Sequence, residues 1–346
     1  MAKTNKQTST AKKAVDVFST DWHIEKDDQV DVRSLILKQA EIALELGLNR
    51  IWCLGDVFKS RIAQPLASLM MFKYILDDLF QLGITLYVFP GNHDKVLLGN
   101  NESYLDAFAS HPAIKLMNNI EMIEVQQDLY YTVVPYFPEK YIIEILSQFE
   151  HKDAKHVLLG HFAADGAMNN DGSLVTSEIG TDMLKKFDRV MLGHYHNRNG
   201  RYIGSLAPRN FSEDDQKGYV ILYDDSSVEY VNSTSKKYIT REVRCDSVDV
   251  KELAKIEEEL SELSKTDNVR LVVSGPKQFV ESVNFKDLKD VKVVVKFDEV
   301  AANMDKSADG QIVKFETEDI KNEFKTFCDE NQLDYQEGMK YLSKCL

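Results

Sequence analysis

Residues 189–200 read RVMLGHYHNRNG, an apolar run that ends in a glycine and is followed by two histidines. The run has the length and composition of a buried strand. His194 and His196 come directly after it, in a chain that has only eight histidines among 346 residues. Two imidazoles at the end of one strand are either ordinary loop residues or ligands of one shared group. The rest of the chain decides between these two interpretations.

Four other apolar runs end in the same way, with a small residue followed by side chains that can bind a metal. The run VFSTDWH ends in Asp21 and His23, and WCLGD ends in Asp56. The runs YVFPGNHD and VLLGH end in Asn92, His93, Asp94 and His161. Each motif alone is weak evidence, but five in order, each at a strand end, are not a coincidence. Because the carboxyl ends of parallel strands line one crevice, these residues are predicted to converge.

The chain divides into two regions of different pattern. Apolar runs alternate with helical patterns from Ala14 to about Tyr238, which predicts a layered α/β fold. A shorter α/β pattern follows, with an acidic amphipathic helix and Val-rich strands. The predicted organisation is a disordered basic tail at 1–13, a main domain at 14–238, a small α/β domain at 239–299, a linker at 300–312 and two helices at 313–346.

The composition is that of a soluble globular protein, with 43% apolar and 28% charged residues. The first residues lack the apolar core of a signal peptide, and the four cysteines form no CxxC pair. Both features predict a cytoplasmic protein with reduced thiols. The net charge of −14 argues against a protein that coats nucleic acid. That argument is weak for an enzyme whose metal ions supply local positive charge.

The donor types at the strand ends fit one kind of chemistry. Imidazole, carboxylate and amide ligands suit manganese, iron or zinc, and the absence of thiolates argues against a structural zinc site. Two ions about 3.5–4 Å apart can clamp a phosphate and generate a hydroxide for in-line displacement. The glycines before the ligands are predicted to allow sharp turns and to leave room for the phosphate.

The order DxH, GDxF, GNHD, GH and GHxH resembles the calcineurin-like metallophosphoesterase superfamily. The segments GITLYVFPGNHD, KFDRVMLGHYH and RYIGSLAPRNFSEDDQKGYVILYD are similar to those of the SbcD-type double-strand-break repair nucleases, which include phage recombination endonuclease subunits. The resemblance is specific over roughly residues 15–240. It implies a layered metallophosphoesterase β-sandwich flanked by helices, with a small α/β capping domain that binds DNA and C-terminal helices.

The resemblance also implies a role for each motif residue. The first ion would be held by Asp21, His23, Asp56 and His196, and the second by Asp56, Asn92, His161 and His194. His93 would contact the scissile phosphate and assist the leaving oxygen, while Asp94 orients His93. Lys59, Arg61 and Arg198 lie near the motifs in sequence and are candidates for phosphate contacts.

The function that follows is a manganese-dependent DNA nuclease subunit in repair, recombination or replication, with two Mn²⁺ ions and with Mg²⁺ or Fe²⁺ as alternatives. The resemblance implies 3′-to-5′ exonuclease action on duplexes, endonuclease action on single strands, an SbcC-type coiled-coil ATPase partner and a homodimer. The helices at 313–346 are predicted to dock the ATPase. In a virus the compartment would be the host cytoplasm. The alternatives are a phosphoprotein phosphatase, a cyclic-nucleotide phosphodiesterase or a non-catalytic scaffold.

Overall fold

A computed structural model describes residues 12–25, 31–150, 153–169 and 172–277, together with 280, 288, 290–298, 324, 325, 328, 335 and 339. Most of the predicted basic tail, the predicted linker at 300–312 and most of the predicted helix pair at 313–346 lie outside the described residues. The boundaries of the tail, domains and linker therefore stay predictions.

The described residues form thirteen strands and five α-helices, numbered here in chain order. The strands are β1 Ala14–Ser19, β2 Arg50–Cys53, β3 Thr85–Val88, β4 Ile114–Leu116, β5 Glu121–Gln126, β6 Leu129–Val134, β7 Lys155–His161, β8 Arg189–Gly193, β9 Gly218–Tyr223, β10 Val228–Asn232, β11 Tyr238–Arg244, β12 Asn268–Gly275 and β13 Val291–Phe297. The helices are α1 Val32–Glu45, α2 Leu66–Gln81, α3 Glu139–Gln148, α4 Thr181–Leu184 and α5 Val250–Leu263.

Two sheets form the main body. One has the order β10-β9-β1-β2-β3-β4 and the other the order β5-β6-β7-β8. Strands β1 to β4 run parallel to one another, and so do β6 to β8, whereas β9, β10 and β5 pair in an antiparallel manner. The motif strands therefore do not share one sheet. β1, β2 and β3 belong to the first sheet, while β7 and β8 belong to the second.

The two sheets pack face to face, and helices cover their outer faces. Phe18 and Trp52 of the first sheet pack against Tyr131 and Val157 of the second in a buried core. Helices α1 and α2 cover the other face of the first sheet, and α3 and α4 that of the second. Apolar residues recur at helical spacing in α1, which explains why one face is buried. The predicted α/β sandwich flanked by helices is confirmed.

A buried ion pair within the first sheet is hydrogen-bonded to the second sheet. Asp16 of β1 is fully buried and accepts two hydrogen bonds from the Arg50 guanidinium of β2, at 2.5 and 3.0 Å. The Tyr131 hydroxyl of β6 donates to the same carboxylate at 2.8 Å. This three-residue contact ties the sandwich together at the end opposite the motif residues, because Asp16 lies early in β1.

A third sheet follows the main body. It contains β11, β12 and β13 in parallel, and α5 packs on one of its faces through Ile256 and Leu260. Phe211 of the main body contacts Tyr238 of β11, with ring centroids 5.0 Å apart, and Arg270 of β12 stacks over the Phe211 ring at 4.7 Å. The small α/β pattern predicted after Tyr238 is therefore present and contacts the main body. None of the helices that the structure describes is long and apolar enough to cross a membrane.

Candidate metal centre

The predicted ligands converge at one edge of the sandwich, where the motif strands end. Asp21 and His23 follow β1, Asp56 follows β2, Asn92 follows β3, His161 ends β7, and His194 and His196 follow β8. Three overlapping groups of ligand atoms each lie within 4.8 Å of one another: Asp21, His23 and His196; His23, Asp56 and His93; and Asp21, Asp56 and His161. Two sheets thus contribute donors to one cluster.

The first predicted set forms a tight group around the Nε2 atom of His23. This atom lies 2.9 Å from Nε2 of His196, 3.7 Å from Oδ1 of Asp21 and 3.9 Å from Oδ2 of Asp56. Nε2 of His196 is also 3.8 Å from Oδ1 of Asp21. Two imidazole nitrogens and two carboxylate oxygens therefore face one small space.

The second predicted set is formed by two close pairs. Nε2 of His161 lies 3.3 Å from Oδ2 of Asp56, and Nδ1 of His194 lies 2.8 Å from Oδ1 of Asn92. The rings of His161 and His194 are adjacent, with centroids 5.3 Å apart. Oδ2 of Asp56 approaches both sets, as a bridging carboxylate would.

The backbone that carries these ligands takes a strained conformation. Asp21, His23, Asp56 and His194 have φ angles of 52°, 47°, 53° and 93°, in a region that side chains other than glycine rarely adopt. Hydrogen bonds between the loops hold them there, for example from Asp21 N to the Gly55 carbonyl and from His23 N to the Asp56 carbonyl, both at 3.0 Å. Such strain persists at functional sites because the surroundings enforce it.

Two motif glycines make room for the ligands themselves. A Cβ at Gly91 would lie 2.1 Å from Oδ1 of Asp56, and one at Gly193 would lie 2.8 Å from Nδ1 of His161. At these two positions the absent side chain makes room for other protein atoms, and the expectation that the motif glycines also leave space for a phosphate stays a prediction. Any larger residue would displace Asp56 or His161.

Two buried polar atoms in the cluster fit a cation. Oδ1 of Asp21 and Nε2 of His161 are buried, and apart from the 3.3 Å contact of Nε2 with Asp56 they have no hydrogen-bond partner among the described residues. Nδ1 of His161 donates to the Leu54 carbonyl at 2.7 Å, so Nε2 is the nitrogen of this ring that faces the cluster. Buried polar groups without partners are costly. A divalent cation with oxygen and nitrogen ligands would satisfy both atoms.

The charges of the cluster favour the binding of a cation. Burial opposes ionisation of Asp21, but the surrounding imidazoles hold its pKa well below the usual range. Burial also opposes ionisation of Asp56, yet His161 lowers its pKa to about 2. Burial and the charge of His161 lower the pKa of His194 to about 4. Both aspartates are thus ionised and His194 is neutral near pH 7. Burial opposes protonation of His161, but Asp56 raises its pKa to about 9, so a bound cation would displace a proton from this ring.

Two curated proteins are similar to this chain. The chain is 27% identical over 197 residues to exonuclease subunit 1 of Enterobacteria phage T4, covering 54% of this chain and 57% of that protein. It is 23% identical over 254 residues to the SbcD component of the nuclease SbcCD from Staphylococcus saprophyticus, covering 60% and 64%. The chain is thus similar to two nuclease subunits over slightly more than half of its length. It spans less than two thirds of the length of these curated relatives. No family model matches the chain.

The motif GNHD includes His93 and Asp94, whose surroundings differ from each other. The His93 ring lies 4.9 Å from that of His23, and its Nδ1 is 2.5 Å from the Lys59 carbonyl. Its backbone N–H donates to Oδ1 of Asp56 at 2.8 Å. His93 therefore borders the cluster, with Nδ1 engaged by the backbone.

Asp94 does not orient His93 as we expected. Its buried carboxylate accepts hydrogen bonds from the backbone N–H groups of Val57, Phe58 and Gly91, at 2.9 to 3.2 Å. Burial and the charge of Asp56 raise the pKa of Asp94 to about 7. Asp94 thus fixes the loop after β2, and the Lys59 carbonyl is the group that orients the His93 ring.

The three predicted phosphate contacts also differ in their surroundings. Lys59 is partly exposed, with Nζ 4.0 Å from Glu25, and Arg61 is exposed. Arg198 instead stacks over the Tyr230 ring at 4.2 Å and donates to the Ile203 carbonyl at 3.3 Å. The Arg198 guanidinium therefore packs against protein groups. Lys59 and Arg61 stay candidates for contacts with a phosphate.

Two buried charged residues near the GHxH motif were missed from the sequence. Oε1 of Glu213 lies 2.9 Å from Nδ1 of His196, and Lys217 donates to the His196 carbonyl at 2.6 Å. The segment that holds both residues was quoted for the resemblance, but neither was identified as functional. A glutamate 17 residues from its histidine partner leaves no spacing signal in the sequence.

Proposed function

We propose that this chain is a metal-dependent DNA nuclease subunit that hydrolyses phosphodiester bonds. The observation that carries the proposal is the pair of imidazole and carboxylate sets that share Asp56 at the ends of strands from two sheets. The printed names of the two relatives, an exonuclease subunit and a component of the nuclease SbcCD, support DNA as the substrate.

We propose Mn²⁺ as the metal, with Mg²⁺ or Fe²⁺ as alternatives, because imidazole and carboxylate donors suit all three to different degrees. One ion would be held by Asp21, His23, Asp56 and His196, and the other by Asp56, Asn92, His161 and His194. The bound ions would lower the pKa of a water molecule and stabilise charge on the phosphate. The chain itself contributes the fixed positions of these donors.

His93 has the surroundings of a general acid. The Lys59 carbonyl accepts from Nδ1 of His93, which leaves Nε2 as the nitrogen that can contact a second group. We propose that Nε2 of His93 donates a proton to the leaving oxygen of the phosphodiester. Lys59 and Arg61 are proposed to contact flanking phosphates.

The mode of action is proposed from the resemblance to SbcD-type proteins. It comprises 3′-to-5′ exonuclease action on duplex ends and endonuclease action on single strands, in a repair or recombination complex with an SbcC-type ATPase. A homodimer is also proposed. Four apolar side chains are strongly exposed and are proposed as candidates for a protein contact: Ile62, Leu66, Val96 and Leu97.

A direct test compares three substrates. The purified chain is incubated with Mn²⁺ and linear duplex DNA labelled at either end, single-stranded circular DNA, or p-nitrophenyl phosphate. Release of labelled nucleotides from the 3′ end and cleavage of the circle are expected, with little hydrolysis of the monoester. Hydrolysis of the monoester alone would indicate a phosphatase. No hydrolysis of any substrate, despite bound Mn²⁺, would indicate either a scaffold or a requirement for the ATPase, and adding the ATPase distinguishes these two cases.

A further inference from the structure

The segment between Arg209 and Lys217 lies under the GHxH motif and carries a buried carboxylate that no predicted ligand set includes. The side chain of Glu213 is completely buried, and Lys217 is 1% exposed. Oε1 of Glu213 is 2.9 Å from Nδ1 of His196. The other nitrogen of the same ring, Nε2, is the atom that faces His23 and Asp21. Glu213 therefore contacts the rear of a ring whose front faces the candidate metal centre.

The hydrogen bonds of Glu213 define which form of His196 is present. An ionised carboxylate only accepts hydrogen bonds, so Nδ1 of His196 must be the protonated nitrogen. In the neutral ring, Nε2 then keeps a free lone pair directed at Asp21 and His23. The ring orientation is fixed at the same time, because Glu213 itself is held by Asn210 Nδ2 at 2.9 Å and by Arg209 N at 3.3 Å.

Lys217 holds the same histidine through its backbone. Nζ of Lys217 donates to the His196 carbonyl at 2.6 Å and to Oδ1 of Asn197 at 3.0 Å. It also lies 3.4 Å from a carboxylate oxygen of Glu213 and from one of Asp214. The positive charge of Lys217 thus balances the buried Glu213, which lowers the cost of keeping that carboxylate ionised away from water.

We propose that Glu213 is a positioning residue that fixes the tautomer and orientation of His196 for metal binding, with Lys217 as its buried counter-ion. The proposal rests on the proposed metal centre and adds two residues to it. A carboxylate behind a ligating histidine raises the basicity of the ring and holds it in place. Because Glu213 touches only one of the two ligand sets, its loss affects the first site, with Asp21, His23 and His196, more than the second.

The test measures metal binding by the full chain, independently of hydrolysis. Mn²⁺ dissociation constants are determined by electron paramagnetic resonance and calorimetry for the wild type, Glu213→Gln, Glu213→Ala and Asp214→Asn. Asp214 is the matched control, because its carboxylate lies on the same segment at the same distance from Lys217 and has no contact with His196. We expect Glu213→Ala to weaken one of two Mn²⁺ sites about 10- to 100-fold, Glu213→Gln to weaken it less, and Asp214→Asn to change neither more than about twofold.

A second measurement separates positioning from simple structural support. ¹⁵N chemical shifts of the His196 ring in the metal-free chain report its tautomer, and Glu213→Gln, which keeps the size of the side chain, should lower the population with the proton on Nδ1. Unchanged Mn²⁺ affinity and an unchanged tautomer in Glu213→Gln would overturn the proposal. A wild-type chain that binds no Mn²⁺ would instead overturn the proposed metal centre, so the two failures are distinguishable. If Glu213→Ala does not fold, the Mn²⁺ affinity and the His196 tautomer of the isosteric variant Glu213→Gln test the proposal.

Discussion

At the scale of single residues, Asp56 contacts residues of both donor sets. Oδ2 approaches His23 and His161, and Oδ1 accepts from the backbone of His93. Its φ of 53° costs about 1–3 kcal/mol, which the surrounding loops must offset. Both oxygens of Asp56 are directed at groups of the candidate site. We therefore expect Asp56 to be required for binding of both metal ions.

We expect Asp56→Ala to abolish DNA hydrolysis and to weaken both Mn²⁺ sites, because one carboxylate would serve each ion. Metal content is measured by mass spectrometry after dialysis, and hydrolysis with labelled duplex DNA. Asp182→Ala is a suitable control, since that carboxylate is 95% exposed and pairs only with Lys185 among the described residues. Comparable hydrolysis by Asp56→Ala in the presence of Mn²⁺ would contradict the assignment of two metals.

His93→Ala should behave differently, because its proposed contact is with the phosphate and not with an ion. We expect near-normal Mn²⁺ content and hydrolysis lower by about a hundredfold or more, the usual loss on removing a general acid. The geometry also allows an alternative, since a ring nitrogen of His93 lies within 4.8 Å of ligand atoms of His23 and Asp56. Loss of one Mn²⁺ ion in His93→Ala would therefore assign His93 to the metal and reject the role of acid.

Much of the candidate site could be predicted at this scale, and the exceptions have a common cause. Each predicted ligand follows a strand, so the apolar run before it indicated its position. Asp94 and Glu213 have roles that depend on contacts between distant loops, with partners 36 and 17 residues away. No local pattern records such a contact, which explains why the role of Asp94 was predicted wrongly and Glu213 was missed.

At the scale of secondary-structure elements, the buried pair of Asp16 and Arg50 joins β1 to β2 and, through Tyr131, one sheet to the other. Burial raises the pKa of Asp16, while the hydrogen bond from Arg50 opposes that shift. Removing the carboxylate leaves the Arg50 charge without its partner in a largely buried position. Uncompensated buried charge is among the most destabilising changes in a protein.

We expect Asp16→Ala to lower the free energy of unfolding by about 3 kcal/mol or more. The control is Asp78→Ala, which removes an equally well-aligned fork with Arg33 on the surface between α1 and α2. That change should cost at most about 1 kcal/mol, because exposed ion pairs contribute little. Urea denaturation followed by circular dichroism measures both values. Equal losses in the two variants would show that the buried pair of Asp16 and Arg50 contributes no more to stability than the exposed pair.

The division of the strands between two sheets could not be predicted from the sequence. β1, β2, β7 and β8 all read as short apolar runs, because each is buried in the sandwich. Which strands pair depends on packing between distant segments, and that leaves no trace in a local pattern. β5 was missed for a different reason: most of its residues are exposed or half-buried and its register shifts at Glu124, so it lacks a regular alternation.

At the scale of the whole molecule, the segment 209–217 connects the metal centre with the small α/β sheet. Glu213 contacts His196. Phe211, two residues before Glu213, contacts Tyr238 and Arg270. Lys237 and Asp215 add an ion pair at 3.5 Å between the same regions. The small sheet is therefore in direct contact with the segment that is proposed to orient His196. The sequence pattern, which indicated two separate domains, did not predict this contact.

The predicted helix pair at 313–346 is the part of the chain proposed to bind the ATPase. Its sequence places Ile320, Phe324, Phe327 and Cys328 on one helical face, and Met339, Leu342 and Leu346 on another. Among the described residues of this segment, the rings of Phe324 and Tyr335 are 5.9 Å apart and Cys328 is buried. Contact between the two predicted helices is consistent with a paired apolar surface that a partner could cover.

We expect deletion of residues 313–346 to leave Mn²⁺-dependent hydrolysis by the isolated chain intact and to abolish co-purification with the SbcC-type ATPase. The reason is that the metal centre is built entirely from residues 21–213, whereas the predicted docking surface lies in the deleted segment. Phe324→Asp tests the surface without a truncation, and Lys325→Ala is its matched control, because Lys325 is the exposed neighbour on the same predicted helix. Affinity for the ATPase is measured by pull-down and light scattering. Unchanged binding by the truncated chain, or equal binding by the two point variants, would place the docking site elsewhere in the protein.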